Sequence, residues 1–458
     1  MRPSRVVALA VLGALLLQTG CAPDKRPLSP EAHLEVPAGW RAQSGPVAPL
    51  EEHGWQQFGD PQLTRLVEAA LQHNTDVLLA SSRVDVAREQ INLSRASLLP
   101  SLDAVLGVGR SQELGVLGIS RSTAVQPGLQ LSYEVDVWGR LRRLREAADV
   151  QYQASQAERD TVRLAVASTT ARAYVSLLSL DMQRYVTRET VESRLQSLRL
   201  AEDLAEMGYS SELELTQAQS EYEAAAQLLP QIGQAIAEQE NALRLLTGQL
   251  PGPIERGGDL LALALPPLPG ALPSELLRRR PDIRQAELVL AASDLNLDAQ
   301  RDRFLPQVQL SASVGRLYVN ALDFDPVRVW DIGASVLAPL FSGGRLEAGV
   351  AVATAQRDQA AYAYRASALN AFAEVENALS AVQNSAEQIR RLTARRETLA
   401  RSLAIAEDRY RSGYSSYLAA LDAQRNLFNT ELAAVQAREA QLNALISLYQ
   451  ALGGGWTP

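Results

Sequence analysis

The side chains that usually do chemistry are few in this chain and badly placed for it. Its 458 residues include three histidines, His33, His53 and His73, and one cysteine, Cys21. All four lie within the first 73 residues, so a His/Cys metal cluster or a Cys/His nucleophile pair in the main body is excluded. No other nucleophile–base pair stands out. The expectation is a protein that is not an enzyme and carries no metal and no cofactor beyond a covalent lipid. What remains is hydrogen-bonding and charged groups set out in rows. Gln130, Ser132, Glu134 and Asp136 alternate with Leu129, Leu131, Tyr133, Val135 and Val137. Gln309, Ser311 and Ser313 alternate in the same way with Val308, Leu310, Ala312 and Val314. In a strand this order puts polar groups on one face and apolar groups on the other. The polar face then lines water, while the apolar face meets lipid or a layer of helices. Alternation alone does not choose between these.

The elements that carry these rows occur twice. Residues 207–219 read MGYSSELELTQAQ and residues 412–424 read SGYSSYLAALDAQ, an offset of 205. Each copy has the same order: helix, strand pair, very long helix, tight turn, long helix. The first helix covers 61–98, from Pro61, where a missing N–H does no harm, to Leu99-Pro100. The period then falls to two at Leu102, Ala104, Leu106 and Val108. From Gly139-Arg140 a helical pattern continues to about Glu206, on the order of 100 Å at 1.5 Å per residue. Gly208 suits a left-handed cap, Ser211 and Glu214 form a capping box, and a further helix runs to Thr247-Gly248.

The second copy runs from Arg280-Pro281-Asp282 to Leu305-Pro306, through Ile332, Ala334, Val336 and Ala338, to a long helix ending at Ser412-Gly413. Leu421, Phe428, Val435, Leu442 and Tyr449 stand seven apart, and Leu392, Leu399, Leu403 and Ala406 follow a similar seam. Such stripes are core, and each needs a facing helix. The run Arg278-Arg279-Arg280 reads as a solvated helix entry.

Composition agrees with a mostly helical protein: 47% apolar, 5% aromatic, with a net charge of −8 that gives no nucleic-acid footprint. Arg2 and Arg5 followed by the apolar run Val6–Leu17 form a targeting segment too short to span a bilayer. Gln18-Thr19-Gly20-Cys21 resembles a bacterial lipobox, with Gln18 at the usual leucine position and Leu17 displaced by one. Cys21 is thus the expected lipidation site, and Ala22 after it resembles onward export to the outer membrane. The expected division is a signal peptide over 1–20, a lipidated extended segment over 21–54, one repeat over 55–248, a linker over 249–273 and a second repeat over 274–455.

Four strands of about ten residues cannot close on themselves, and an open edge in lipid leaves backbone groups unpaired at several kcal/mol each. Membrane insertion therefore requires several chains to pool their strands. Two chains give eight strands, which side chains fill; three give twelve, which leave a lumen.

At WQQFGDPQLTRLVEAAL (55–71), SRASLLPSL (94–102), LLRRRPDIRQAELVLAA (276–292), FLPQVQLSASVG (304–315), APLFSGGR (338–345) and DRYRSGYSSYLAALDAQRNLF (408–428), the chain resembles the TolC-like outer-membrane factors. More narrowly, it resembles the lipoprotein channels of resistance-nodulation-division (RND) multidrug pumps. Asn74-Thr75-Asp76 departs from the family pattern, which often has Pro where Thr75 stands.

The resemblance implies a mixed α/β, mostly helical fold. Each chain would supply one third of a twelve-stranded membrane β-barrel and of a long α-helical barrel. It implies a homotrimer in the outer membrane, lipid-anchored and extending into the periplasm, with a periplasmic adaptor and an inner-membrane RND pump as partners. Its work would be passive, gated export of drugs and toxic compounds. Export of metal cations or of secreted proteins is the alternative within this class, and a non-inserting periplasmic coiled-coil scaffold is the alternative outside it.

Under the resemblance, Tyr410 and Asp422 match the family's periplasmic gate. Gly208, Tyr209, Ser210, Gly413, Tyr414 and Ser415 form hairpin tips that dock the adaptor. Gln130, Ser132, Glu134, Asp136, Gln309, Ser311 and Ser313 line the lumen. Ser415 and Ala419 stand where some members have Arg and Asp.

Overall fold

Residues 140–206 contain neither proline nor glycine, and they form one uninterrupted helix of 67 residues. The second copy answers with another 67-residue helix over 345–411, interrupted by no proline. Runs rich in Ala, Leu, Arg, Gln and Glu need little else to stay helical. The computed structural model describes residues 24–28, 30–42, 54–115, 118–268, 273–320 and 326–454. The expected signal peptide and Cys21 lie outside the described residues.

In chain order the elements are α1 (Pro61–His73), α2 (Thr75–Ala96), β1 (Ser101–Gly115), β2 (Gly118–Val135), α3 (Arg140–Glu206), α4 (Glu212–Ala226) and α5 (Leu228–Leu246). After the linker come α6 (Pro273–Arg279), α7 (Pro281–Arg301), β3 (Gln307–Val319), β4 (Val327–Leu337), α8 (Arg345–Arg411) and α9 (Tyr417–Ala451). Among the described residues no helix is long and apolar enough to cross a membrane.

The chain divides into two compact units. Of the described residues, one comprises 24–28, 30–34, 82–115, 118–156, 285–320 and 326–366; the other comprises 35–42, 54–81, 157–268, 273–284 and 367–454.

The first unit holds a four-stranded antiparallel sheet in the order β1-β2-β3-β4. The strands have 15, 18, 13 and 11 residues, all longer than the ten or so expected. Below the sheet, Leu297, Val350 and Ala353 form a small core with Phe304 against it. Residues 25–27 are tied down here. Arg357, 1% exposed, donates to the carbonyls of Arg26 at 2.6 Å and Pro27 at 3.4 Å, and Lys25 pairs with Asp294 and Asp298.

In the second unit the heptad residues Leu421, Phe428, Val435, Leu442 and Tyr449 are all buried, as the seven-residue spacing predicts. Trp40 packs against Phe372 at 5.9 Å, and the Glu376 carboxylate accepts from the backbone N–H groups of Arg41 and Ala42. The nominal linker is also a packed piece, not a free connection. Ile254, Leu260 and Leu263 are buried, and Arg256 bridges Asp181 and Glu240. The Gly257 N–H donates to the Tyr174 hydroxyl, which donates to Asp60. A Cβ at Gly257 would sit 2.1 Å from an Asp60 oxygen, so only glycine fits there.

Three sequence expectations need correction. The helix expected over 61–98 is two helices, α1 and α2, divided at Asn74. Asn74 is a double cap: its amide donates to the Leu246 carbonyl at 3.0 Å, and its side-chain oxygen accepts from Asp76 N and Val77 N. The helix expected from Ser211 to Thr247 breaks at Gln227. Pro230 has no N–H to give the Ala226 carbonyl four residues back. Arg280 is not a solvated entry residue. It is buried between Asp282, Glu374 and the Ala451 carbonyl, at 2.7, 2.6 and 3.0 Å.

Asn74→Ala removes both the cap and the bond to Leu246. It is expected to cost about 1–2 kcal/mol, read as a lower urea midpoint of the helical circular-dichroism signal. An unchanged midpoint contradicts the capping role.

Candidate functional site

Register decides what the sheet presents. Asp103, Gln130, Ser313 and Asp331 stand in one cross-strand row, and Ser101, Ser132, Ser311 and Gly333 in the next. Glu134, Gln309 and Ser335 make a third. Six of the seven residues singled out as polar-face positions thus fall on one face of β2 and β3, directly paired. The opposite face carries Leu102, Leu131, Ala312 and Ile332 in one row and Ala104, Leu129, Val314 and Trp330 in another.

No helix lies across either face among the described residues, and Ile332 and Trp330 are 76% and 73% exposed. A sheet of a water-soluble domain would hide this apolar face. The alternative of a β-layer packed on helices therefore fails on geometry. The outer edges of β1 and β4 have no strand partner among the described residues.

The seventh residue, Asp136, is misassigned by its alternation. It lies beyond the last residue of β2 and works as a cap on α3, accepting from Leu141 N and Arg142 N at 3.0 Å each. Glu134 stays in the strand but is held by Arg140 through two bonds of 2.7 and 2.9 Å.

The two helical turns match each other closely. Gly208 and Gly413 have φ of 76° and 74°. The Tyr209 N–H donates to the Leu204 carbonyl and the Tyr414 N–H to the Arg409 carbonyl, both at 2.8 Å, which closes each helix in the same way. Tyr209 and Tyr414 are 82% and 78% exposed, so they do not pack their turns. The capping box is half formed: Ser211 accepts from Glu214 N, while the Glu214 carboxylate takes the Ser210 hydroxyl at 2.7 Å. The Ser415 hydroxyl is buried without a partner.

Tyr410 and Asp422 are not brought together. Tyr410 turns inward onto Tyr417 with ring centroids 5.4 Å apart, against a cluster of Leu198, Ala201, Ala218 and Leu421. Its hydroxyl has no hydrogen-bond partner among the described residues, and burial, with Glu214 nearby, raises its pKa. Burial also pushes Tyr417 up to about 12. Asp422 is exposed, and among the described residues its carboxylate accepts from the Asn426 amide four residues on.

Sequence reasoning missed a buried ion-pair cluster near these turns. Arg194 of α3 is buried, donates to the Glu221 carbonyl at 2.7 Å and pairs with its carboxylate at 3.1 Å. Arg425 of α9 holds the other carboxylate oxygen. One carboxylate on α4 therefore joins three helices. The signal was present: by the repeat offset of 205, Arg194 occupies the seam position that Leu399 takes in the second copy.

The chain thus couples an uncovered two-faced sheet, whose outer edges have no strand partner among the described residues, to long helices in duplicate. The model of the outer membrane efflux protein family matches residues 66–249 and 272–454. The pyoverdine export outer membrane protein OpmQ of Pseudomonas aeruginosa is 33% identical over 98% of this chain and 97% of its own length. The toluene efflux pump outer membrane protein TtgC of Pseudomonas putida is 33% identical over 98% of this chain and 96% of its own. The solved outer-membrane channel OprN superposes with a TM-score of 0.87 at 29% identity, covering 95% of this chain and 99% of that one. The chain belongs to the outer membrane efflux protein family, a family of channels and not of enzymes.

The Arg425 bond, helped by Arg194, holds the Glu221 carboxyl below the ordinary glutamate range. Because the folded-state value is depressed, the contribution is complete above the ordinary value and is lost as pH falls through the lowered one. Hydrogen-exchange protection of residues 194–201 and 417–428 is thus expected to drop on acidification. Glu221→Gln should start from lower protection and lack that step; identical pH profiles in both proteins would refute the coupling.

Proposed function

We propose that this chain is the outer-membrane conduit of a tripartite efflux pump, with three copies pooling twelve strands around one water-filled lumen. The observation that carries the reading is the uncovered sheet. Its apolar face suits lipid, its polar face suits water, and its two free edges suit pairing with neighbouring copies. Gln130, Ser132, Glu134, Gln309, Ser311 and Ser313 line the lumen, and Asp136 is withdrawn from that set as a helix cap. A lipid on Cys21 anchors the chain.

The turns at Gly208 and Gly413 present Tyr209, Ser210 and Tyr414 to a periplasmic adaptor, which links the conduit to an inner-membrane RND pump, while Ser415 is withdrawn from that set because its hydroxyl is buried. The conduit itself is passive. Tyr410 holds the turn region from inside, while exposed Asp422, repeated three times about the axis, supplies a ring of charge at the gate. Relatives named for pyoverdine export and toluene efflux favour small organic cargo.

The full-length protein in detergent is expected to have the mass of a trimer and to conduct ions in planar bilayers. A strain lacking it is expected to gain sensitivity to drugs and organic toxicants. A strictly monomeric protein that never carries current removes the reading. A deletion strain sensitive only to metal cations, or defective only in protein secretion, reassigns the cargo.

A further inference from the structure

We propose that Arg303 and Arg345, together with Arg140, form an anion-binding site in the channel wall that takes small carboxylate-bearing solutes. The inference rests on the conduit reading and adds a ligand class to it. These arginines share one cavity of about 310 Å³ with Gln307, Leu337 and Pro339, where the strands meet the long helices.

The cavity opens on the polar side of the sheet. Gln307 and Leu337 are cross-strand partners two positions from the Gln309–Ser335 pair, so their side chains leave from the same face. Glu134, bonded to Arg140, lies on that face too.

The local charge balance leaves a positive surplus. Glu134 is matched by Arg140, Asp136 by Arg142 and Asp302 by Arg143. Arg303 and Arg345 have no hydrogen-bond or ion-pair partner from their side chains among the described residues, and both are exposed. Arg345 is also the first residue of α8, so the positive end of that helix adds to the field. Two free guanidinium forks beside one cavity match carboxylate geometry better than point cations would. Repeated in each copy around a shared lumen, the site places a band of fixed positive charge across the path of the solute.

Citrate is the probe, with the full-length protein in detergent. Calorimetry is expected to show saturable binding of about one citrate per chain, weakened at least tenfold, or about 1.4 kcal/mol, in Arg303→Gln/Arg345→Gln. Arg303→Lys/Arg345→Lys keeps the charge without the fork and should fall between the two. In bilayers under a potassium chloride gradient, the reversal potential of the double Gln variant should move toward cation preference.

A wild type that conducts but binds no citrate overturns the proposal, as does a double Gln variant with unchanged affinity and reversal potential. A double Gln variant that loses its trimeric mass, beside a wild type that binds no citrate, reassigns the arginines to carboxylates of a neighbouring copy and overturns it as well. A wild type that neither associates nor conducts refutes the conduit reading itself, so the two failures are separable.

Discussion

A strand edge in hydrocarbon must have a partner, because no water is there to take its N–H and C=O groups. Everything else in this chain answers to that constraint. Among the described residues the sheet has four strands, with β1 and β4 open outward, so one copy alone leaves two edges unpaired in a membrane. Its rows are nevertheless already sorted, with Leu102, Leu131, Ala312 and Ile332 on one side and Ser101, Ser132, Ser311 and Gly333 on the other. Sorting is done within the chain, and under the proposed assembly closure falls to neighbouring copies.

The helices follow the same division of labour. The seam from Leu421 to Tyr449 is buried within one chain, whereas Leu392, Leu399, Leu403 and Ala406 on α8 are only half-buried. The first seam holds the hairpins of a single copy together. The second is an apolar stripe still short of cover, as expected where a neighbouring copy supplies the facing helix. The buried Arg194 is the polar exception: it spends a seam position on fixing α3 against α4 and α9 through Glu221.

The large elements were legible because their signals are long and repeated. Sixty-seven residues without a breaker in α3, a change of period at Leu102, and Gly208 and Gly413 at matched offsets all survive any local ambiguity. What escaped the sequence was set by tertiary partners. Asn74 is an N-cap residue type, and the family's proline at Thr75 marks a helix start, but the Leu246 carbonyl that its amide meets is distant in sequence. Asp136 fits the alternation of β2, yet the free N–H groups of α3 claim it. Arg280 looks like one of three surface arginines until Glu374 and Ala451, distant in sequence, enclose it. Pro230 is a break signal in the sequence itself, since it has no N–H for the Ala226 carbonyl. Of the candidate site, the turn glycines and the polar rows were readable from pattern, while the triad at Glu221 needed three helices in register to be seen.

The clamp on the N-terminal segment has a metric consequence. Arg357 grips the carbonyl of Arg26, which is five residues from Cys21. Five residues of fully extended chain reach at most about 18 Å. If Cys21 carries an acyl group, its leash is shorter than the roughly 30 Å thickness of a bilayer's oily layer. The buried guanidinium of Arg357 would then act as a depth gauge, fixing how far from the membrane surface that level of α8 can ever stand.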